Sequence, residues 1–177
     1  MVRVELTPTE LLMGHTIGTM RQAALQLSRN VRYDAHIMGA RGEIAVAKAL
    51  NVYWDSSVNS FKSRGDVGDI EVRTTTYVPP QSCSLYVTDR DHDDRRFVLV
   101  SQIDDATYQL NGWASGSDVK KRGVYESKAA GKPSAYWLRY DQLHDMDDMS
   151  EYKYLWQENA RNEARALYVK LLKQRNI

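Results

Sequence analysis

The sequence predicts an α/β (α+β) domain in which helices flank a mixed central sheet. Three observations carry this expectation. A helix-opening signature near the start is followed by a second helical stretch rich in small residues. Five short β-rich runs separated by turn residues then lie between positions 69 and 139, and a last run of apolar residues at helical spacing closes the chain.

In chain order, Thr7-Pro8-Thr9-Glu10 places a hydroxyl at the cap, proline at the first helical position and a carboxylate three residues after the cap. A helix is expected from there to about Ser28. A second is expected from Ala35 to Leu50, where Gly39, Ala40, Gly42, Ala45, Ala47 and Ala49 would let the backbone lie close against a sheet. The β-rich runs are Asp69 to Thr76, Leu85 to Thr88, Phe97 to Gln102, Thr107 to Ala114 and Ala135 to Arg139. Pro79-Pro80 and the charged segment Asp89 to Arg96 read as connections. Ser115 to Gly123 reads as one or two helical turns closed by Gly123, and Ser150 to Gln174 as a long helix.

With 177 residues, 42% of them hydrophobic, the chain can bury one core and is short for two. The single cysteine, Cys83, excludes an internal disulfide, and there is no basic-then-apolar leader or long apolar run. A reducing, cytoplasmic setting without a membrane is therefore expected. The formal net charge of +1 says little, but its distribution is uneven. Between Arg21 and Arg64 seven basic residues (Arg21, Arg29, Arg32, Arg41, Lys48, Lys62, Arg64) face three acidic ones. Asp141, Asp145, Asp147, Asp148 and Glu151 form an acidic stretch expected to face away from any nucleic acid.

Two segments carry chemistry. In the second helix, Glu43 falls within about 60° of Ala40, Val46, Ala47 and Leu50 on a helical wheel, so it points along the apolar face. A carboxylate there needs a cation, a hydrogen bond or a metal, because an isolated buried charge costs several kcal/mol or more. Pairing with Arg41 or Arg73 would also satisfy it. The second segment is Arg64-Gly65-Asp66-Val67-Gly68-Asp69-Ile70-Glu71-Val72-Arg73. Read as a strand from Asp69, it puts Asp69, Glu71 and Arg73 on one face and Ile70 and Val72 on the other. Gly65 and Gly68 would bring Asp66 beside Glu71. Two close carboxylates call for a cation, and hard oxygen ligands suit Mg²⁺ or Mn²⁺. A solvated, charged strand face is the alternative.

Asp66, then Glu71-Val72-Arg73 behind an apolar residue, with Glu43 on an upstream helix, resembles the PD-(D/E)xK nuclease superfamily. Phe97-Val-Leu-Val100, Tyr108 to Trp113 and the turn from Gly116 to Gly123 resemble its small, mostly phage-encoded members; the match covers roughly Gly39 to Leu143. The resemblance implies a restriction-endonuclease-like α-β-β-β-α-β core with added N- and C-terminal helices. It further implies a catalytic set of Glu43, Asp66, Glu71 and Arg73. Asp66, Glu71 and the backbone carbonyl of Val72 would hold the ion, with Glu43 contributing directly or through water. Lysine is usual where Arg73 stands. Arginine stays protonated, so it cannot act as a base, although its fork suits a phosphate oxygen. Either the metal and carboxylates activate water, or activity is weak or lost.

Asp69 is a second candidate for the role of Asp66, and Gln102, ending its strand, for holding a water or phosphate. Arg41, Lys62, Arg64, Lys120 and Lys121 are candidate contacts to a phosphate backbone. Trp113, Tyr136, Trp137 and Trp156 could stack bases or fill the core. The four histidines show no ligand spacing that would suit zinc. The expected function is a Mg²⁺-dependent endonuclease or exonuclease acting on DNA, in the host cytoplasm if phage-encoded, with a homodimer left open. A DNA-binding protein on the same scaffold without catalysis, and a phage structural or interaction protein, are the alternatives.

Overall fold

A computed structural model describes residues 1–24, 33–58, 65–128, 133–149 and position 162. Within them the chain is mixed α+β, with three helices and two sheets. Strand β1 (Val2–Glu5) leads into helix α1 (Pro8–Ala24) and helix α2 (Tyr33–Leu50). Strands β2 (Ile70–Thr75), β3 (Ser84–Val87), β4 (Arg96–Gln102) and β5 (Thr107–Ser115) follow. Helix α3 (Gly116–Arg122), β6 (Val124–Glu126), β7 (Ala135–Arg139) and two short 3₁₀ turns complete the order. Except for position 162, the expected helix from Ser150 to Gln174 lies outside the described residues, as does Trp156. None of the described helices is long and apolar enough to cross a membrane.

Local chemistry accounts for the helix ends. Thr7 and Glu10 form the expected reciprocal cap: Thr7 N–H donates to Glu10 at 2.7 Å, and Glu10 N–H to the Thr7 hydroxyl at 3.3 Å. In α3 the Ser115 hydroxyl accepts from Asp118 N–H at 3.1 Å, and Gly123 N–H closes on the Val119 carbonyl at 2.8 Å.

The first sheet has strand order β1-β5-β4-β2 and is mixed: β2 and β4 are parallel, while β4-β5 and β5-β1 are antiparallel. The second, β3-β7-β6, is antiparallel. Cores lie on both faces of the first sheet, which explains the unbroken apolar run Phe97-Val-Leu-Val100 in its interior strand. On one face Ile70, Val72, Val98, Val100, Tyr108 and Leu110 meet Ala40, Ile44 and Ala47 of α2. On the other, Phe97, Leu99 and Ala114 pack with Leu85, Val87 and Leu138 of the second sheet and Val119 of α3. Fully burying a side chain such as Ile70 contributes roughly 1.5–3 kcal/mol.

Small residues set the helix positions. A Cβ at Gly18 would come 2.5 Å from the Ile37 backbone and one at Gly14 2.5 Å from the Arg41 side chain, so α1 packs closely on α2 there. A Cβ at Gly42 would overlap the Thr74 hydroxyl of β2. Of the two glycines on α2, Gly42 lies tight against β2, whereas Gly39 faces open space. We expect Gly42→Ala to destabilise the fold by about 1–3 kcal/mol through overpacking. Most of that loss should return in Gly42→Ala/Thr74→Ala, read from denaturant midpoints; equal losses in the single and double variants would show that the contact does not set the helix position.

Candidate active site at the free edge of β2

Asp66 reaches its place through a tight turn. Val67 N–H donates to the Ile70 carbonyl at 3.1 Å and Ile70 N–H to the Val67 carbonyl at 3.0 Å, with Gly68 between them at φ 66°. That left-handed backbone is one glycine adopts without a Cβ penalty. Val67 is buried in the α2 core, which anchors the turn. Gly65 passes so close that a Cβ would sit 2.5 Å from the Ile70 carbonyl oxygen. The chain therefore folds back along β2, an edge strand, and Asp66 Oδ2 accepts the Val72 N–H at 2.8 Å. In a strand, a residue's N–H and C=O lie on the same edge, so the Val72 carbonyl shares this edge with Asp66.

Three carboxylates converge on the edge from different directions. Glu43 comes from α2 and is 5% exposed. Arg21 of α1 grips it with both terminal nitrogens, at 2.5 and 2.9 Å, and the Trp54 indole donates to it at 2.9 Å. Glu71 comes from the opposite face of β2 and is paired with Arg95 and, at 3.3 Å, with Arg73. Asp66 lies between them. Burial, reinforced by the negative charges of Glu43 and then Glu71, pushes its pKa from 3.8 up to about 7, against the opposing Val72 hydrogen bond and the charge of Arg73.

Arg73 is deeply held. It donates to Glu71 at 3.3 Å and to Asp91 at 3.2 Å, and its guanidinium lies 5.1 Å from the ring centroids of both Tyr86 and Phe97. Asp91 is itself fixed by the Thr88 amide and hydroxyl, at 2.8 and 2.9 Å. Arg73 Nε is buried without a hydrogen-bond partner among the described residues. The expected cation beside Glu71 is therefore present, bound into a structural network.

Asp69 takes a different course from the one its spacing suggests. It belongs to the turn and not to the strand, which begins at Ile70, and it is exposed beside Arg96 at 3.5 Å. Its pKa is raised by burial, opposed chiefly by the charge of Arg96. Asp66, not Asp69, is the carboxylate that faces Glu43 and Glu71. Gln102 is also elsewhere. In the parallel register Glu71 lies opposite Phe97, five residues before Gln102, which is about 16 Å along a strand. There Gln102 lines a separate cleft of about 360 Å³ with Asp34, Arg41 and Thr74 to Thr76.

The basic candidates disperse. Arg41 faces that far cleft, and Lys120 is held by the Asp93 carboxylate at 2.6 Å and the Asp91 carbonyl at 2.7 Å. Lys121 is exposed on α3, while Lys62 and Arg64 lie outside the described residues. Arg21, Trp54, Asp91 and Arg95 were not anticipated. Arg21 did leave a signal, because Gly14, Gly18 and Arg21 share the i, i+4, i+7 stripe of α1 that packs on α2. Asp91 and Arg95 sit in the charged 89–96 segment that reads as a solvated connection; it instead supplies partners to β2.

Among the described residues, no group of three or more His, Cys, Asp or Glu side chains is arranged to hold a metal ion. The donor types at the β2 edge nevertheless suit a smaller demand. Mg²⁺ keeps several waters and is commonly bound through one or two carboxylates. Asp66, Glu71 and the Val72 carbonyl are oxygen donors of that type, and the raised pKa of Asp66 marks a place where added positive charge would be favourable. The Glu43 oxygens are engaged by Arg21 and Trp54, as those of Glu71 are by Arg73 and Arg95.

No family model, curated protein or solved structure matches this chain.

Proposed function

We propose that this protein is a Mg²⁺-dependent nuclease that hydrolyses phosphodiester bonds in DNA, on a restriction-endonuclease-like core. The observation that carries the reading is Asp66, held at the free edge of β2 between Glu43 and Glu71 with its pKa pushed up to about 7. A carboxylate so perturbed is found more often in a catalytic site than in plain scaffold. Mn²⁺ would suit the same ligands.

In this reading Asp66, Glu71 and the Val72 carbonyl hold the ion. A bound divalent cation supplies positive charge where the phosphate accumulates negative charge. Glu43 reinforces the negative field and is itself fixed by Arg21 and Trp54. Arg73 and Arg95 hold the Glu71 carboxylate. Arg73, always protonated, takes no proton from water.

A second reading has one specific observation in its favour. Arg73, at the position where lysine is usual, is clamped between Glu71, Asp91 and two aromatic rings. That suits a DNA-binding protein of the same architecture without catalysis.

Glu71→Gln separates the two. Glutamine keeps the shape of glutamate and removes the charge that holds a hard cation, so cleavage of single-stranded, double-stranded or branched DNA should fall by about 100-fold or more. DNA affinity should stay, since it rests on lysine and arginine contacts. Rates would be compared with and without Mg²⁺ or Mn²⁺, alongside thermal stability. Equal cleavage by a folded Glu71→Gln protein would remove Glu71 from the site; DNA binding without cleavage in wild type would favour the second reading.

A further inference from the structure

A cleft of about 440 Å³ is lined in part by Arg73 and does not include Glu43, Asp66 or Glu71. Its lining includes Arg73, Ser82, Ser84, Tyr86, Lys128 and Trp137. The size is that of a small-molecule site, and the chemistry is specific. Tyr86 and Trp137, cross-strand neighbours on β3 and β7, form a tilted pair with ring centroids 5.2 Å apart. Trp137 is fixed in orientation by its indole N–H, which donates to the Glu126 carbonyl at 3.1 Å. Tyr86 is 38% exposed, alternating along β3 with the buried Leu85 and Val87. Lys128 Nζ lies 4.3 Å from the Trp137 ring centroid and 3.9 Å from the Glu126 carboxylate.

Arg73, which lines the cleft, also carries an unfilled donor behind it. The terminal nitrogens of Arg73 bond to Glu71 and Asp91, yet its Nε is buried with no acceptor. Buried donors are normally satisfied, so this N–H calls for an acceptor that the described residues do not supply. A ligand with a flat π face, ring or phosphate oxygens and negative charge meets all three features: it stacks on the aromatic pair, bonds to Arg73 and the serine hydroxyls, and attracts Lys128.

We propose that this cleft binds an unpaired nucleobase of a DNA strand, making single-stranded or locally unpaired DNA the preferred substrate. The proposal rests on the nuclease reading and deepens it, since Arg73 joins the base cleft to the carboxylates at the β2 edge. A base inside a duplex could not enter, because its faces are covered by its stacked neighbours.

The test is fluorescence anisotropy in EDTA, with the full chain and two labelled probes of equal length, an oligothymidylate single strand and a duplex. Metal is left out so that binding is read apart from cleavage. The wild type should prefer the single strand. Trp137→Leu should weaken single-strand binding by about tenfold, the size of one lost stacking contact, and change duplex binding by less than about twofold. Tyr86→Leu, at a half-exposed position, is the companion variant should Trp137→Leu fail to fold by circular dichroism, and the same loss is expected. Unchanged single-strand affinity in folded variants, with wild type binding both probes alike, would overturn the base cleft and leave the nuclease reading standing. No binding of either probe by wild type would overturn both.

Discussion

Asp66→Asn should make the protein more stable, and several-fold more so at pH 8 than at pH 4.5. The folded-state pKa of Asp66, about 7, lies well above the value of about 3.9 expected in the unfolded chain. Between those values the folded protein holds a proton that the unfolded chain has released. Stability therefore falls as pH rises from about 4 to 7, and the loss is complete above the folded pKa. A shift of about three units corresponds to a ceiling of about 4 kcal/mol. Asparagine cannot ionise, and its amide oxygen can still accept the Val72 N–H that Asp66 now accepts at 2.8 Å. The gain at pH 8 should raise Tm by about 5–10 °C, measured by thermal denaturation in EDTA. Added Mg²⁺ should stabilise wild type and not the variant, because a ligand of the folded state raises stability by mass action. A gain in function at this site would be lost for the gain in stability, the trade expected where like charges are gathered for a purpose. The same Tm difference at pH 4.5 and pH 8 would show that the carboxylate is not under the strain described.

Glu43→Ala should act in the opposite direction, lowering stability by about 3–5 kcal/mol. The substitution leaves the largely buried Arg21 without the carboxylate that grips both its terminal nitrogens and leaves the Trp54 indole N–H without an acceptor. It also removes one of the two negative charges that raise the pKa of Asp66. The effects of the two substitutions should therefore couple: the stabilisation by Asp66→Asn at pH 8 should shrink when Glu43 is already alanine. Denaturant midpoints of the two single variants and the double variant measure this directly. Strict additivity would mean that Glu43 and Asp66 do not sense each other.

These two expectations mark a division between residues readable in order along the chain and residues that only long-range folding supplies. The cap at Thr7 and Glu10, the turn around Gly68 and the alternation of Glu71 and Arg73 against Ile70 and Val72 depend on neighbours a few positions away. Such features are set by local backbone geometry and by period, and both can be read from residue order. Strand β1 was not legible because four residues are too few to show a period, and it is defined by its pairing with β5 more than a hundred positions later. The three-residue β6 is fully exposed and shows no apolar alternation.

The sequence by itself determined that Glu43 faces the apolar side of a helix and that Asp66 and Glu71 lie near one another at the start of a strand. Only the tertiary structure decided what neutralises them. Arg21 reaches Glu43 across 22 positions because Gly14 and Gly18 let α1 close on α2; Arg95 reaches Glu71 across 24 because β4 runs parallel to β2. It also separated Asp66 from Asp69, two aspartates three residues apart that spacing treats alike. The turn at Gly68 sends one into the buried strand edge and the other to Arg96 at the surface. Charge partners act through space over a few ångströms, and chain order carries no record of which distant cation the packed backbone will bring that close.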